Sequence, residues 1–505
     1  MIAQASLTAY KHKTGRLIAA ALLAGTTLLS VACGGSPAAP ATDATPRATS
    51  SASQHSDSDT PATPSDASDS PESPDSNVEI VGGIDPTFGN DGVVTTDFGG
   101  GLEQIEDLAV LPNGKILAAG HTWQEGAAGP RFSVARYDKN GKLDKKFGKN
   151  GIVRAALVEE QFDYSEAHGM AVQPDGKFIL VGVAHNPQMY HSTFGMVRFN
   201  ADGTLDKTFG KGGKVLTPLD DITGFGHDQE AFAVAVAEDG KIVVVGETAG
   251  YPTDFAVVRY DSKGRLDKKF GKNGLVTTDF GGDDSATEVT IQPDGKIVVA
   301  GKGVMGDNDY AISRYNTDGK LDKTFGEGGK ATVDFLGGKD WPYGVHVRDD
   351  GKILLGGLAQ FGAPECGWYP EDDLVVTCEL YGTALAQLNA DGTPDEDFGD
   401  KGRIISNFVS SSSGYSMAVR EDGKIALGGS IGNDDFIVAV YNPDGTIDES
   451  FAGGGAQTLD IGGTDRVYAL AFQPDGNLVA GGHGVTDTED LLNWDFALTR
   501  YIVGP

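Results

Sequence analysis

Between Ile84 and Tyr501 one unit returns seven times, and no other feature of the chain constrains its fold as strongly. The unit is clearest from Glu288 to Phe335. Its turn, Pro293-Asp294-Gly295-Lys296, recurs as Pro112–Lys115, Pro174–Lys177, Glu238–Lys241, Asp349–Lys352, Glu421–Lys424 and Pro474–Asn477. Its Leu321-Asp322-Lys323-Thr324-Phe325 segment recurs ending at Phe88, Phe147, Phe209, Phe270, Phe398 and Phe451, so successive phenylalanines lie 53 to 73 residues apart. Self-similarity at this period marks a stacked or radial array of small units rather than a chain with one core.

Each unit holds three short apolar runs, in the clearest copy Val289–Gln292, Ile297–Ala300 and Tyr310–Tyr315, and then a weaker run, Lys330–Phe335. Rich in Ile, Val and Tyr, too short for helices and punctuated by glycine, they read as strands. The Pro-Asp-Gly-Lys turn suits a tight hairpin, and Asn316-Thr317-Asp318-Gly319 makes a second corner. Four antiparallel strands per unit and seven units predict an all-β chain, a seven-bladed β-propeller. The chain enters the repeat on a fourth strand (Ile84–Phe88, Val93–Phe98) and leaves on a third (Trp494–Tyr501). The ring is therefore expected to close by pairing residues 92–98 with 494–501, which leaves no orphan edge. In this phase the run before the Pro-Asp-Gly turn, such as Ala233–Ala235, is innermost.

The propeller is expected to span residues 78–505. Ahead of it, Lys11, Lys13 and Arg16 precede the apolar run Leu17–Ala32, a basic start and short apolar stretch that read as an export signal over residues 1–33. Leu29-Ser30-Val31-Ala32-Cys33 resembles the lipobox of bacterial lipoproteins, with Ser30 where leucine is usual; by that resemblance Cys33 carries the lipid, an ordinary secretory signal being the alternative. Residues 34–77 are Ser, Pro, Ala, Thr and Asp with almost nothing to bury, which reads as a disordered stalk. Of three cysteines, Cys366 and Cys378 remain, both inside the insertion Phe361–Tyr381; a disulfide is expected there, with metal ligation the weaker alternative.

The net charge is −32, of which −29 falls on residues 78–505. Nucleic acid is excluded as a partner, since phosphates need a basic surface. Cations, cationic groups or neutral sugars fit better, the membrane is met only through the lipid, and a monomer is expected.

The hairpin turns and Leu-Asp-x-x-Phe connections share one face and hardly vary, whereas the loops after second and fourth strands share the other and differ from unit to unit, as binding loops on a scaffold do. The variable face holds His121 and Trp123, His168, His185 and His191, His227 and Asp228, and Asp284 and Asp309. Trp341, Trp368 and Tyr369, Asp435, His483 and Trp494 complete it. Aromatic faces beside carboxylates hold sugars and amine cations; the alternative is a solvated acidic rim.

Asp138-x-Asn140-Gly-x-x-Asp144 and its copies resemble the start of a calcium loop but lack its closing glutamate, so Asx-stabilised turns explain them better than Ca²⁺. Asp254, Asp309, Asp435 and Asp495 open third strands and are expected to bond nearby backbone amides. Asp97, Asp279, Asp334, Asn407 and Asp460 end fourth strands, outside the axis, where they are not expected to form a cation site. No nucleophile elbow, His-Glu-x-x-His or phosphate fingerprint is present, and no cofactor is expected.

The repeats, most typically Ile291–Gly301 and Arg314–Gly326, resemble the delta-60 repeat of bacterial exported propellers and are similar to NHL repeats in the order of their elements. That resemblance covers Ile84 to Tyr501 and implies fold and export without supplying catalytic residues. The expected role is a non-enzymatic, envelope-anchored module binding a carbohydrate, envelope component or protein. The alternative is an extracytoplasmic hydrolase or lyase using loop carboxylates and His, with or without a divalent ion.

Overall fold

A computed structural model describes residues 82–505, except positions 100, 125–126, 128, 159–163, 187–190, 220–227, 304–307, 363–364, 370–373, 378–379, 409–411, 432–434 and 486–492. Side chains at 186, 365–369, 374–377 and 412–413 also lie outside it. The export signal, Cys33 and the 34–77 stalk fall before the described residues.

The turns build the blades. In the clearest unit Gly295 takes φ +82°, Gly295 N donates to Gln292 O at 2.8 Å, and Lys296 N donates to Asp294 Oδ1 at 3.0 Å. Inner strand Ser285–Ile291 is thereby folded back on Ile297–Gly303, which pairs with Asp309–Tyr315, which pairs with outer strand Lys330–Val333. The same order recurs in six blades, and the middle strands are buried along almost their whole length, for example Ile242–Glu247 and Phe255–Tyr260. Burial on both faces explains their continuous apolar runs, because each blade is sandwiched between two others.

The inner strands are Glu103–Val110, Tyr164–Val172, Ala231–Val236, Ser285–Ile291, Asp340–Val347, Ser412–Val419 and Arg466–Phe472. Each packs on the next, and Arg466–Phe472 packs on Glu103–Val110, so the seven surround an axis. The described residues form seven apolar core clusters, one at each junction between neighbouring blades. The fold is a seven-bladed, all-β propeller.

The seventh blade takes its outer strand from the start of the chain, as expected. Val93–Thr96 pairs antiparallel with Thr499–Phe496, and Gly82–Ile84 adds a short pairing with Val503–Tyr501. The fifth blade's insertion forms its own hairpin, Glu365–Tyr369 against Leu374–Thr377.

The Leu-Asp-x-x-Phe segment proves to be a staple. Arg198 on a third strand donates through Nε to Asp206 at 2.9 Å and through Nη1 to Ser262 O at 2.6 Å, on the next blade's corner, with its guanidinium 4.3 Å from the centre of the Phe209 ring. Arg136, Arg259, Arg314 and Arg500 repeat this arrangement. Gln387 and Lys424 supply the partner for Asp395 and Asp448 in the remaining two. The near-invariant face is thus a belt of inter-blade ties.

Candidate functional site

All seven inner strands carry a β-bulge at the same place, and the bulged residues are Glu106, His168, Phe232, Thr287, Tyr343, Tyr415 and Tyr468. A bulge sets two residues against one and re-aims a side chain that strict alternation would leave between blades. Every one of the seven is part-exposed. They meet from blade to blade around the axis, with ring centroids 5.7 Å apart for Tyr343 and Tyr415, 5.6 Å for Tyr415 and Tyr468, and 5.6 Å for His168 and Phe232. Thr287 Oγ1 donates to Pro342 O of the next blade at 2.7 Å.

Two residues earlier the inner strands add Gln104, Glu166, Ser285, Trp341 and Arg466, with Glu230 just before the third of them, and the second strands add His121, Glu247, Lys302 and His483 opposite. The mouth is therefore two-sided. Blades one to three contribute Glu106, His121, Glu166, His168 and Glu230; blades five to seven contribute Trp341, Tyr343, Tyr415 and Tyr468.

Crowding these acids together changes their chemistry. Burial and the neighbouring Glu166 push Glu106 well above the usual carboxylate range, and burial with Glu247 and Glu166 pushes Glu230 to about 7. Just below, burial raises Asp107 to about 7, and burial with Asp107 raises Glu288 to about 8. Asp107 accepts Met170 N of the next blade at 2.7 Å. The imidazoles shift the other way, since burial lowers His121 and His168 to about 4 and His483 to about 3. Glu106 Oε1 and His121 Nδ1 lie 3.6 Å apart.

A second set of acids lies at four blade junctions: Asp97, Glu103 and Asp495; Asp254, Asp279 and Asp284; Asp309, Asp334 and Asp340; Asp435, Asp460 and Asp465. In each trio the ligand-capable oxygens lie within 4.8 Å of one another. The sequence places the fourth-strand acids too far out to make a site. They are outermost, yet each is joined there by the acid opening the third strand and by one from the next blade. That last acid, Glu103, Asp284, Asp340 or Asp465, accepts the backbone amides at its junction; Phe98 N meets Glu103 Oε2 at 2.8 Å, and Phe335 N meets Asp340 Oδ2 at 3.0 Å. Hard oxygen donors of this kind suit a calcium ion. Cationic side chains of the following blade work at the same edge: Arg154 donates to Phe98 O, Lys330 to Asp279 O and Arg403 to Asp334 O. The Asp-Gly corners are Asx turns, with Asp138 Oδ1 accepting Asn140 N at 2.9 Å and Lys142 N at 3.1 Å.

The residues singled out from sequence divide accordingly. His121, His168 and Trp341 reach the axial mouth, whereas His483 is buried next to Tyr468 with Trp494 stacked on it at 4.3 Å and 7°. Asp284, Asp309 and Asp435 belong to the junction trios. Trp123 donates through Nε1 to Ala127 O, His185 lies edge-on to Tyr164, and His191 opens a third strand. Asp228 is taken up by Ser192, accepting its N at 2.9 Å and its Oγ at 3.0 Å. His227, Cys378 and the side chains of Cys366, Trp368 and Tyr369 lie outside the described residues. Sequence reasoning missed Glu106, Glu166, Tyr415 and Tyr468, which sit inside strands rather than loops, and Glu230, immediately before one. Their only sequence signal is a large polar or aromatic residue amid the small residues of the innermost run.

Residues 111–147, 173–209, 237–270, 292–325 and 420–451 match a family described as "Domain of unknown function (DUF5122) beta-propeller". These are propeller repeats. The matched segments run from each hairpin to the Phe of the staple, so all seven bulged residues fall outside them. No curated protein sequence matches the chain. Among solved structures, the propeller is similar to YCF48 bound to D1 peptide (12% identity, covering 84% of this chain and 100% of that one, TM-score 0.39). It is also similar to a PL25 ulvan lyase (13%, 81% and 96%, 0.41) and to the propeller domain of the Trilobed protease from Pyrococcus furiosus (10%, 81% and 93%, 0.37). These are likenesses of fold alone.

Proposed function

We propose that the propeller is a non-enzymatic binding module of the cell envelope whose axial mouth takes a carbohydrate. The observation that carries this reading is the run of tyrosines 343, 415 and 468, ring against ring, at the inner-strand position that Glu106 occupies in the first blade. Aromatic faces cover the apolar faces of sugar rings, and adjoining carboxyls and imidazoles bond their hydroxyls. The lipobox-like Leu29–Cys33, the 34–77 stalk and the delta-60 resemblance support an exported chain held at a membrane through lipid on Cys33, with the propeller as its monomeric outer part. No cofactor enters this reading; the junction trios are where Ca²⁺ would bind, and thermal shifts with CaCl₂ and EDTA test that.

Calorimetric titration of the full chain with neutral oligosaccharides, beside Tyr415→Ala, tests the binding reading. Saturable binding lost in Tyr415→Ala supports it, and absence of binding across a broad glycan panel sinks it. A hydrolase or lyase is the second reading, favoured by the Glu106–His121 contact with Glu166 alongside. Release of new chain ends from a bound glycan, abolished in Glu106→Gln, decides for it.

A further inference from the structure

We infer that the ligand of the axial mouth carries an organic ammonium group, held over the faces of Tyr415 and Tyr468 beside the carboxyl groups of Glu106, Glu166 and Glu230. This rests on the axial mouth being the binding site. Three independent features converge on that charge type. A cation is attracted to the faces of aromatic rings, and the tyrosine arc offers several in succession. The acids of blades one to three sit at the inner-strand positions that also build that arc, the bulge and the position two residues before it.

The third feature is a set of buried nitrogens with nothing to bond. His121 Nδ1, His168 Nε2 and both ring nitrogens of His483 have no hydrogen-bond partner among the described residues, and His483 is only 1% exposed. Buried polar atoms left this way point to a missing partner. Kept neutral by burial, each of these imidazoles has an unprotonated nitrogen that accepts a hydrogen bond, which is what an ammonium N–H requires. Among the described residues Arg466, which bonds the Tyr468 hydroxyl, and Lys302 are the cations at this rim, and the acids outnumber them.

A metal ion fits the mouth less well. Among the described residues, every group of three acid or imidazole ligands close enough to share an ion lies at the blade junctions and not at the axis. An anionic uronate chain is disfavoured by the same acids.

The test is calorimetric titration of the detergent-solubilised full chain at pH 7 with three probes: a β-1,4-linked glucosamine tetramer, its fully N-acetylated counterpart, and tetramethylammonium chloride. The expected result is at least tenfold tighter binding of the amine tetramer than of the acetylated one, and competition by tetramethylammonium. Glu106→Gln with Glu230→Gln, near-isosteric changes, is expected to bring the two tetramers to within about twofold. Equal affinity for both tetramers, unchanged in the Gln variant, overturns the ammonium inference while leaving the carbohydrate reading intact. Tetramethylammonium binding without either tetramer upholds the ammonium site as one that takes an amine other than a glucosamine chain. Failure of all three probes overturns the ammonium inference, and the carbohydrate reading falls with it only when the neutral glycan panel also fails.

Discussion

Arg500 and Asp85 stand 415 residues apart in the chain and meet at 2.9 Å, Nε donating to Oδ2, with both side chains buried. Burial alone raises the Asp85 carboxyl, but hydrogen bonds from Thr87 and Arg500 more than offset it and hold it below the usual range. This is the same Arg–Asp tie that binds four other blades, used here to lock the two ends of the chain together. Arg500→Ala strands a buried carboxylate and is expected to destabilise the fold by about 3–5 kcal/mol. Arg265→Ala removes the exposed pair with Asp261 and is expected to cost under about 1 kcal/mol. Chemical denaturation of both variants checks the contrast.

The corner glycines cap the phenylalanines of the preceding blade. Gly203 has φ +88°, and a Cβ there would lie 2.9 Å from Phe147 Cε2 and 2.8 Å from Val153 Cγ2. Gly212 has φ +68° but open space around it. Gly212→Ala is expected to cost about 1–2 kcal/mol for its left-handed backbone, and Gly203→Ala about 1–3 kcal/mol more for overpacking. Equal melting temperatures for the two variants would remove the packing argument.

Stability is expected to fall as pH rises from about 5 to 8. Burial lifts Glu103 and Glu288 to about 8, Asp340 to about 7 and Asp465 to about 6. The folded chain therefore keeps protons that the unfolded chain has released above its ordinary carboxylate range, so the unfolded state gains relative to the folded one across that window. At the junction between the second and third blades the equivalent position is Gln229, whose Oε1 accepts Leu219 N at 2.8 Å. Glu103→Gln copies that arrangement. It is expected to flatten the pH dependence and raise the melting temperature at pH 8, as read by scanning calorimetry from pH 5 to 8.5.

Glu365 pairs with Thr377 in the inserted hairpin, and Cys366 follows it at a register shift in the same strand. With Cys33 acylated, the mature chain is expected to show no titratable thiol until reduced, and two thiols afterwards. Cys33→Ser is expected to leave the propeller folded and move it from the membrane fraction to the soluble one. Thiol titration and fractionation check both.

Blade count, phase and ring closure were all legible in the sequence, because each depends on local chemistry repeated seven times. Gly295 needs its left-handed corner, Ile297–Ala300 its burial on both faces, and the odd strand at Val93–Thr96 a partner at the far end of the chain. The Asx reading of Asp138 and its copies held for the same reason, since donor and acceptor lie two to four residues apart.

What the axis presents was decided by tertiary structure. Glu106, His168 and Tyr415 lie in strands whose alternation assigns them to blade faces, and only a bulge, set by pairing with the second strand, turns them elsewhere. Asp254, Asp279 and Asp284 looked like separate sets in the sequence, because what joins them is the packing of one blade's edge on the next blade's first strand. Turn geometry and burial pattern are properties of a few consecutive residues; the meeting of side chains from different blades is a property of the closed ring.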